Sequence, residues 1–349
     1  MSPLFSHDSR IFAAAGAEKT PDLALCLLFT RASRVRGRKG HMAKKVGIAL
    51  GSGSARGWSH IGVIRSLQEA EIPIDIACGS SIGALVAGCL ASGFLDPLDR
   101  WARKLTWSYL IGFMDVMIPR SGLIEGERMT NYFRQNLSDS NIEDLAIPFA
   151  AVATDLKTGR EVFLREGSLI DAIRASISLP GIFTPYRRNG QWLVDGGLVN
   201  PVPVSLCRSM GADIVVAVNL NSHIMGKPRL RRMADPPPGG RNGDSPQVKG
   251  RWTAFLNQMA QQRSIALFTH LFQEQPEKGP SIFDVMATSV YIMQDRITRQ
   301  QLTVDPPDIL VKPKLSDIGL LEFNRAEEAI AEGKRAMDRM LPRLRGLLD

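Results

Sequence analysis

Ser81 stands at the centre of Gly79-Ser80-Ser81-Ile82-Gly83, a G-x-S-x-G pattern set between two apolar runs. The first run, Ile74–Cys78, reads as a short buried strand, and the second, Ile82–Ala91, as a packed helix of small residues. A chain that turns sharply from strand into helix holds the residue at the bend in a strained conformation, and glycines on either side let other backbone pass close. The bend pushes a serine hydroxyl outward at the head of a helix, where the dipole favours nearby negative charge. Those are the conditions a serine nucleophile requires. The pentapeptide occurs by chance in many chains, so the strand–turn–helix context carries the reading.

A nucleophilic serine needs a proton acceptor. The histidines are His7, His41, His60, His223 and His270. His7 and His41 lie in a segment without helical or strand periodicity, His223 and His270 flank a loose insert, and His60 falls inside a helical stretch, where packing is its expected role. None occupies a strand-end turn. Asp195 does: it ends the strand pattern Gln191-Trp192-Leu193-Val194 and is followed by Gly196-Gly197. A carboxylate is a weak base near neutral pH, so its use on Ser81 would rest on desolvation and tight geometry. A turn aspartate bonding its own backbone is the alternative.

The third glycine-rich stretch, Gly51-Ser52-Gly53-Ser54-Ala55-Arg56-Gly57, joins a buried strand, Val46–Leu50, to a helix over Trp58–Ala70. Strand, glycine loop and helix suggest a dinucleotide site. Its sixth position is Arg56 rather than glycine, however, and the next strand ends in the serine bend instead of a ribose-binding acid. A row of backbone N–H groups stabilising the negative oxygen of an attacked acyl group is a second use for such a loop. A tight packing turn is a third.

Beyond these stretches, strands over Phe149–Ala153, Glu161–Leu164, Asp213–Val218 and Ile309–Val311 alternate with helices over Leu95–Leu110, Ile124–Leu137, Ser168–Ile177, a segment ending at Met210, Trp252–Phe272, Ser281–Leu302 and Asn324–Leu348. Such alternation predicts a doubly wound, largely parallel α/β sheet, whose active sites gather at the carboxyl ends of strands. The 349 residues are 44% hydrophobic and 22% charged, ordinary for a globular chain, with a net charge of +8. The excess charge sits in Arg31–Lys39, Lys44-Lys45 and Lys227–Arg251, which read as solvated segments rather than a nucleic-acid-binding face. Cys26, Cys78, Cys89 and Cys207 show no disulfide or zinc spacing. Frequent Met, Trp and Phe between residues 94 and 148 suit a lipid-chain lining, but the same composition builds ordinary core, which is the role expected of them.

Taken together, Ser52-Gly53-Ser54-Ala55-Arg56-Gly57, Gly79-Ser80-Ser81-Ile82-Gly83 and Asp195-Gly196-Gly197 resemble the patatin-like phospholipase family in order and spacing. Arg174-Ala-Ser-Ile-Ser-Leu-Pro180 adds to the likeness, and Gly51, Ala55 and Arg56 resemble the bacterial neuropathy-target-esterase-type branch. The similarity covers roughly residues 45–220. It implies a three-layer fold, a mostly parallel central sheet with helices on both faces. It also implies a cytoplasmic serine hydrolase that cleaves fatty-acyl esters of phospholipids or lysophospholipids.

In that family's terms Ser81 is the nucleophile and Asp195 its acceptor, joined in a Ser–Asp dyad that works through an acyl-enzyme. The loop Ser52, Gly53, Ser54, Arg56 and Gly57 surrounds the oxyanion hole, with the N–H groups near Gly53 and Ser54 as donors. Gly79, Gly83, Gly196 and Gly197 shape the two turns. Ser52 and Ser54 replace family glycines, so a left-handed conformation there would be strained. No metal or organic cofactor and no nucleic acid is expected; a lipid or acyl-ester substrate and peripheral contact with the inner face of a membrane are.

Four parts are expected: a flexible basic extension (1–42), a catalytic core (43–222), a flexible Pro/Gly/Arg-rich insert (223–250), and a helical part (251–349) completing the same domain. Acyl transfer to a carrier and a regulatory protein keeping the same fold are the competing functions.

Overall fold

The computed structural model describes residues 44–106, 126, 130, 131, 133, 134, 140–222 and 282–349. The extension 1–42, the insert 223–250, the helix expected over Trp252–Phe272 and most of the one expected over Ile124–Leu137 lie outside them.

The strands with unbroken apolar runs form the middle of the sheet. β1 (Val46–Leu50) is buried along its whole length and pairs in parallel with β2 (Ile76–Ser80) on one edge and β7 (Ile214–Val218) on the other. A strand covered on both faces has no reason to alternate polar with apolar residues. β3 (Phe149–Asp155) extends the sheet in parallel beyond β2, and β8 (Ile309–Val311) extends it beyond β7. Ile48 and Leu50 face α1 (Ser59–Glu69), α2 (Ile82–Ala91) and α4 (Leu169–Ser176), together with α7 (Ala326–Asp338). Ala49, Ile76 and Cys78 face α5 (Val204–Ser209) on the opposite side. The chain is thus three-layered and α/β, with helices on both faces of a mostly parallel sheet. α7 settles directly on α1 because two glycines meet there: a Cβ on Gly62 would fall 1.9 Å from Ile330 O, and one on Gly333 1.9 Å from Ser59 O.

Beyond β3 the sheet turns antiparallel. β4 (Glu161–Leu164) pairs with Ala151–Thr154 along one edge of β3. β6 (Gln191–Asp195) pairs with Ala153–Asp155, so it must take the other edge, the one β2 occupies further back. β2 and β6 therefore lie end to end along one side of β3. Ser80 sits opposite Val152 and Asp195 opposite the next residue, Ala153. The short β5 (Tyr186–Arg188), for which the sequence shows no separate signal, closes this end as a hairpin with β6.

Three expected boundaries shift. β2 runs two residues later than the apolar run suggested, because Gly79 and Ser80 still pair with β3. α3 (Leu95–Arg103) stops well short of Leu110. The C-terminal helical pattern is two helices, α7 and α8 (Leu341–Leu348), broken at Arg339-Met340 so that Pro342 falls in the first turn of α8, where its missing N–H costs nothing. The remaining long helix is α6 (Ile282–Val304).

Candidate active site

The abutting ends of β2 and β6 bring two side chains together. Ser81 Oγ donates to Asp195 Oδ2 at 2.5 Å. Ser81 adopts φ 58° and ψ −127°, a conformation that costs a non-glycine residue on the order of 1–3 kcal/mol and persists only where the surroundings enforce it. The surroundings are backbone. A Cβ on Gly83 would lie 2.1 Å from Leu50 O, and one on Gly79 would lie 2.2 Å from the Gly83 carbonyl carbon. Only glycines allow the elbow to close this tightly.

A residue of the Arg174–Pro180 stretch, to which the sequence assigns no role of its own, secures the same bend. Ser176, at the end of α4, accepts the Ser81 N–H through its Oγ at 2.9 Å and donates to Val152 O at 2.6 Å. Two residues on, Ser178 O accepts the Asp195 N–H at 2.9 Å. Arg174 anchors that segment through Ser178 Oγ (2.6 Å) and Thr184 O (3.1 Å). One short stretch thus grips both members of the pair. Replacing Ser176 with alanine leaves a buried N–H and a buried carbonyl without partners. The expected loss is about 2–4 kcal/mol of unfolding free energy, measurable by urea denaturation.

Asp195 is fully buried. Its Oδ1 accepts the Gly197 N–H at 2.7 Å, and its carbonyl accepts Thr154 Oγ1 at 2.8 Å. The local turn bond and the bond to Ser81 thus coexist, one on each carboxylate oxygen. Gly196 fits the junction of the two strands because a Cβ there would meet Val152 O at 2.2 Å. Burial raises the Asp195 pKa from 3.8 to about 6, against the lowering effects of Ser81 Oγ and the Gly197 N–H. Among the described residues no cationic side chain pairs with it to reverse the penalty of desolvation.

The glycine-rich loop spends most of its amides on the fold. Gly51 N–H goes to Val218 O, Ser52 N–H to Pro201 O, Ala55 N–H to Leu320 O and Arg56 N–H to Gly53 O. Among the described residues the N–H groups of Gly53 and Ser54 take no partner, and both residues border the cavity that holds Ser81 and Asp195. Ser54 has φ 51°, the left-handed strain expected of a serine in a glycine position. Arg56 and Gly57 do not border the cavity. Gly57 packs against Ile82, and Arg56 is buried behind the loop.

His60 is buried on α1, and its Nε2 donates to Gly51 O at 2.8 Å. Burial lowers its pKa to about 4, so the ring is neutral and supports the loop without reaching the cavity. The other four histidines lie outside the described residues.

The cavity, about 160 Å³, is walled largely by apolar side chains that come from distant parts of the described chain, among them Trp58, Leu85, Trp101, Phe183, Leu320 and Phe323. Trp58 meets Trp101 and Phe323 edge to face, each at 6.0 Å, and its Nε1–H donates to Phe323 O at 3.1 Å. Walls of this kind disfavour water and suit hydrocarbon. Of the 94–106 stretch, Trp101 and Leu105 line the cavity and Leu95 and Leu98 are buried in the core, whereas Trp107, Phe113, Met114 and Met117 lie outside the described residues.

The patatin-like phospholipase family model matches residues 48–208, which contain Ser81, Asp195 and the loop. The chain is 34% identical over 347 residues to an uncharacterized NTE family protein of Mycobacterium tuberculosis, covering 87% of this chain and 92% of that one. It is 29% identical to lysophospholipase NTE1 of Pyricularia oryzae, covering 86% of this chain and 19% of that much longer relative. Patatin-like phospholipase domain-containing protein 6 of Mus musculus is 34% identical over 184 residues, 51% of this chain and 14% of its own.

Proposed function

This chain belongs to the NTE family of patatin-like phospholipases and is a lipid-ester hydrolase, and from that premise we propose that Ser81 and Asp195 perform the hydrolysis as a two-residue dyad. The observation that carries the reading is the 2.5 Å contact between an elbow serine and a fully buried carboxylate, opening onto an apolar cavity.

In this scheme Ser81 Oγ attacks the ester carbonyl carbon while its proton passes to Asp195 Oδ2. The carbonyl π electrons move to oxygen, and the resulting oxyanion meets the uncommitted N–H groups of Gly53 and Ser54. Each such donor is worth about a hundred- to a thousandfold in rate where the group is held ready before reaction. The intermediate then collapses: the carbon–oxygen bond to the alcohol breaks, Asp195 returns the proton to the departing oxygen, and the acyl group stays on Ser81. Water repeats the sequence with Asp195 as base and releases the fatty acid. A pKa near 6 makes Asp195 a stronger base than an ordinary aspartate while leaving it mostly ionised at neutral pH.

The substrates proposed are phospholipids and lysophospholipids, whose acyl chain takes the apolar cavity. Such substrates reside in aggregates, so peripheral contact with a lipid surface belongs to the proposal; among the described residues no helix is long and apolar enough to cross a membrane. The test is incubation of the purified protein with lysophosphatidylcholine and phosphatidylcholine. Fatty-acid release is followed over time, and the acyl-enzyme is trapped by acid quench and located by peptide mass spectrometry. An acyl group on Ser81 is the expected result. Release of fatty acid with the acyl group on another residue, or no release from either lipid, would overturn it.

A further inference from the structure

Three side chains at the cavity carry polar atoms that, among the described residues, have no partner and no part in the dyad chemistry. Tyr291 and Gln294 project from α6 into the cavity lining beside Ser52. Ser52 Oγ and Tyr291 Oη are buried without any hydrogen bond. Gln294 stands next to the acid: a Cβ on Gly197 would lie 2.6 Å from Gln294 Nε2, 2.9 Å from Asp195 Oδ1 and 2.9 Å from Ser52 Cβ.

A buried arginine sets which end of Gln294 faces inward. Arg56 can only donate. Its guanidinium reaches Ile318 O at 3.1 Å and Asn221 Oδ1 at 3.4 Å. With its oxygen so engaged, Asn221 offers Nδ2 to Gln294 Oε1 at 3.0 Å. Gln294 is thereby left with its N–H₂ uncommitted. The same guanidinium lies 4.4 Å from the centre of the Tyr291 ring, fixing that side chain by a cation–π contact. Arg56 itself stays out of the cavity. Burial raises the Tyr291 pKa, so the group it offers is a neutral O–H.

Neutral donors and a hydroxyl, with no charged side chain among them, suit a neutral hydroxyl rather than a phosphate or an ammonium group. Their place beside Asp195 is where the alcohol portion of an ester would leave. We infer that Tyr291, Gln294 and Ser52 form a polyol subsite that binds a free hydroxyl next to the scissile ester, as in a glycerol monoester. The inference rests on the hydrolase reading only for the identity of the leaving group. Burying an unpaired polar atom is costly, and a substrate hydroxyl offsets that cost where a plain alkyl group does not.

The test pairs hydrolysis with binding. For wild type, Tyr291→Phe and Gln294→Met, kcat/KM is measured on monopalmitoylglycerol and on ethyl palmitate, and the ratio of the two is taken for each protein. That ratio is expected to fall about fivefold to tenfold in each variant, one neutral hydrogen bond's worth. A fault confined to folding or to the dyad lowers both esters together and leaves the ratio unmoved. In parallel, the Ser81→Ala protein and its double variants are titrated with 1-O-hexadecylglycerol and with hexadecanol, neither of which can be hydrolysed. The preference for the glyceryl ether should drop by the same factor. Ratios within twofold of the parent proteins in both experiments would overturn the subsite. Should wild type cleave neither ester, the hydrolase reading fails and the titration alone decides the subsite.

Discussion

Replacement of Ser81 by alanine is expected to abolish covalent capture by a fluorophosphonate probe and to lower lipid-ester hydrolysis by about 10⁴-fold or more, with the fold intact. The size of the effect follows from the chemistry. Without Oγ there is no atom to form the acyl-enzyme, and only binding and the oxyanion donors remain to assist direct attack by water. Stability should fall modestly, by about 1–3 kcal/mol. Alanine is no better suited than serine to φ 58°, so the strain persists, and the buried Asp195 carboxylate loses the hydroxyl that donates to it. The elbow's fixings, the Ser81 N–H to Ser176 Oγ bond and the Gly79 and Gly83 contacts, involve only backbone atoms of residue 81 and survive the change. The check is gel fluorescence after labelling, beside circular dichroism of the same samples. Labelling of folded Ser81→Ala at the wild-type rate would remove Ser81 from the mechanism.

Asp195→Asn is the second large effect, with opposite consequences for activity and stability. Hydrolysis is expected to fall about 10³-fold, because an amide cannot take the Ser81 proton. In wild type, kcat/KM should rise with pH through about 6, where Asp195 ionises, and level off above it; the variant should lack that limb. Stability follows from the sign of the shift. The folded-state pKa, about 6, lies above the ordinary 3.8, so folding favours the protonated acid. The protonated form's contribution is complete below pH 3.8 and is lost as pH rises through about 6. At pH 7 the wild type thus carries a buried charge costing on the order of 3 kcal/mol, a cost the neutral amide of the variant escapes. The variant should therefore melt above wild type at pH 8, and the gap should close as pH falls toward 5. Parallel melting curves across that range would show that Asp195 does not titrate as its burial requires. Catalysis held at the expense of stability is a common feature of active sites.

Much of the site was legible in the chain because its chemistry is encoded locally. A strand that must become a helix within three residues requires glycine at Gly79 and Gly83, and an unbroken apolar run such as Val46–Leu50 is explained only by burial on both faces. The serine in Gly79–Gly83 and the acid before Gly196-Gly197 stand out for those reasons, and the exclusion of His60 follows from its place in a helical period. The rule that sites gather at the carboxyl ends of parallel strands located Asp195 for an incomplete reason. β6 is antiparallel, and its end reaches Ser81 only because β2 and β6 share one edge of β3.

What tertiary structure alone decided depends on distance along the chain. Which loop amides remain free was settled by carbonyls at Val218, Pro201 and Leu320, none of them near residues 51–55 in sequence. Ser176 belongs to the Arg174–Pro180 stretch that adds to the family likeness, but its role emerges only when its Oγ is placed between Ser81 and Val152. Tyr291 and Gln294 belong to a helix with no motif of its own, about two hundred residues from the elbow, and become part of the cavity only when α6 packs beside Gly197. Short-range sterics write the proposed nucleophile and its acid into the sequence. Long-range packing, which pairs donors and acceptors across the fold and leaves a chosen few unpaired, determines what those two residues can reach.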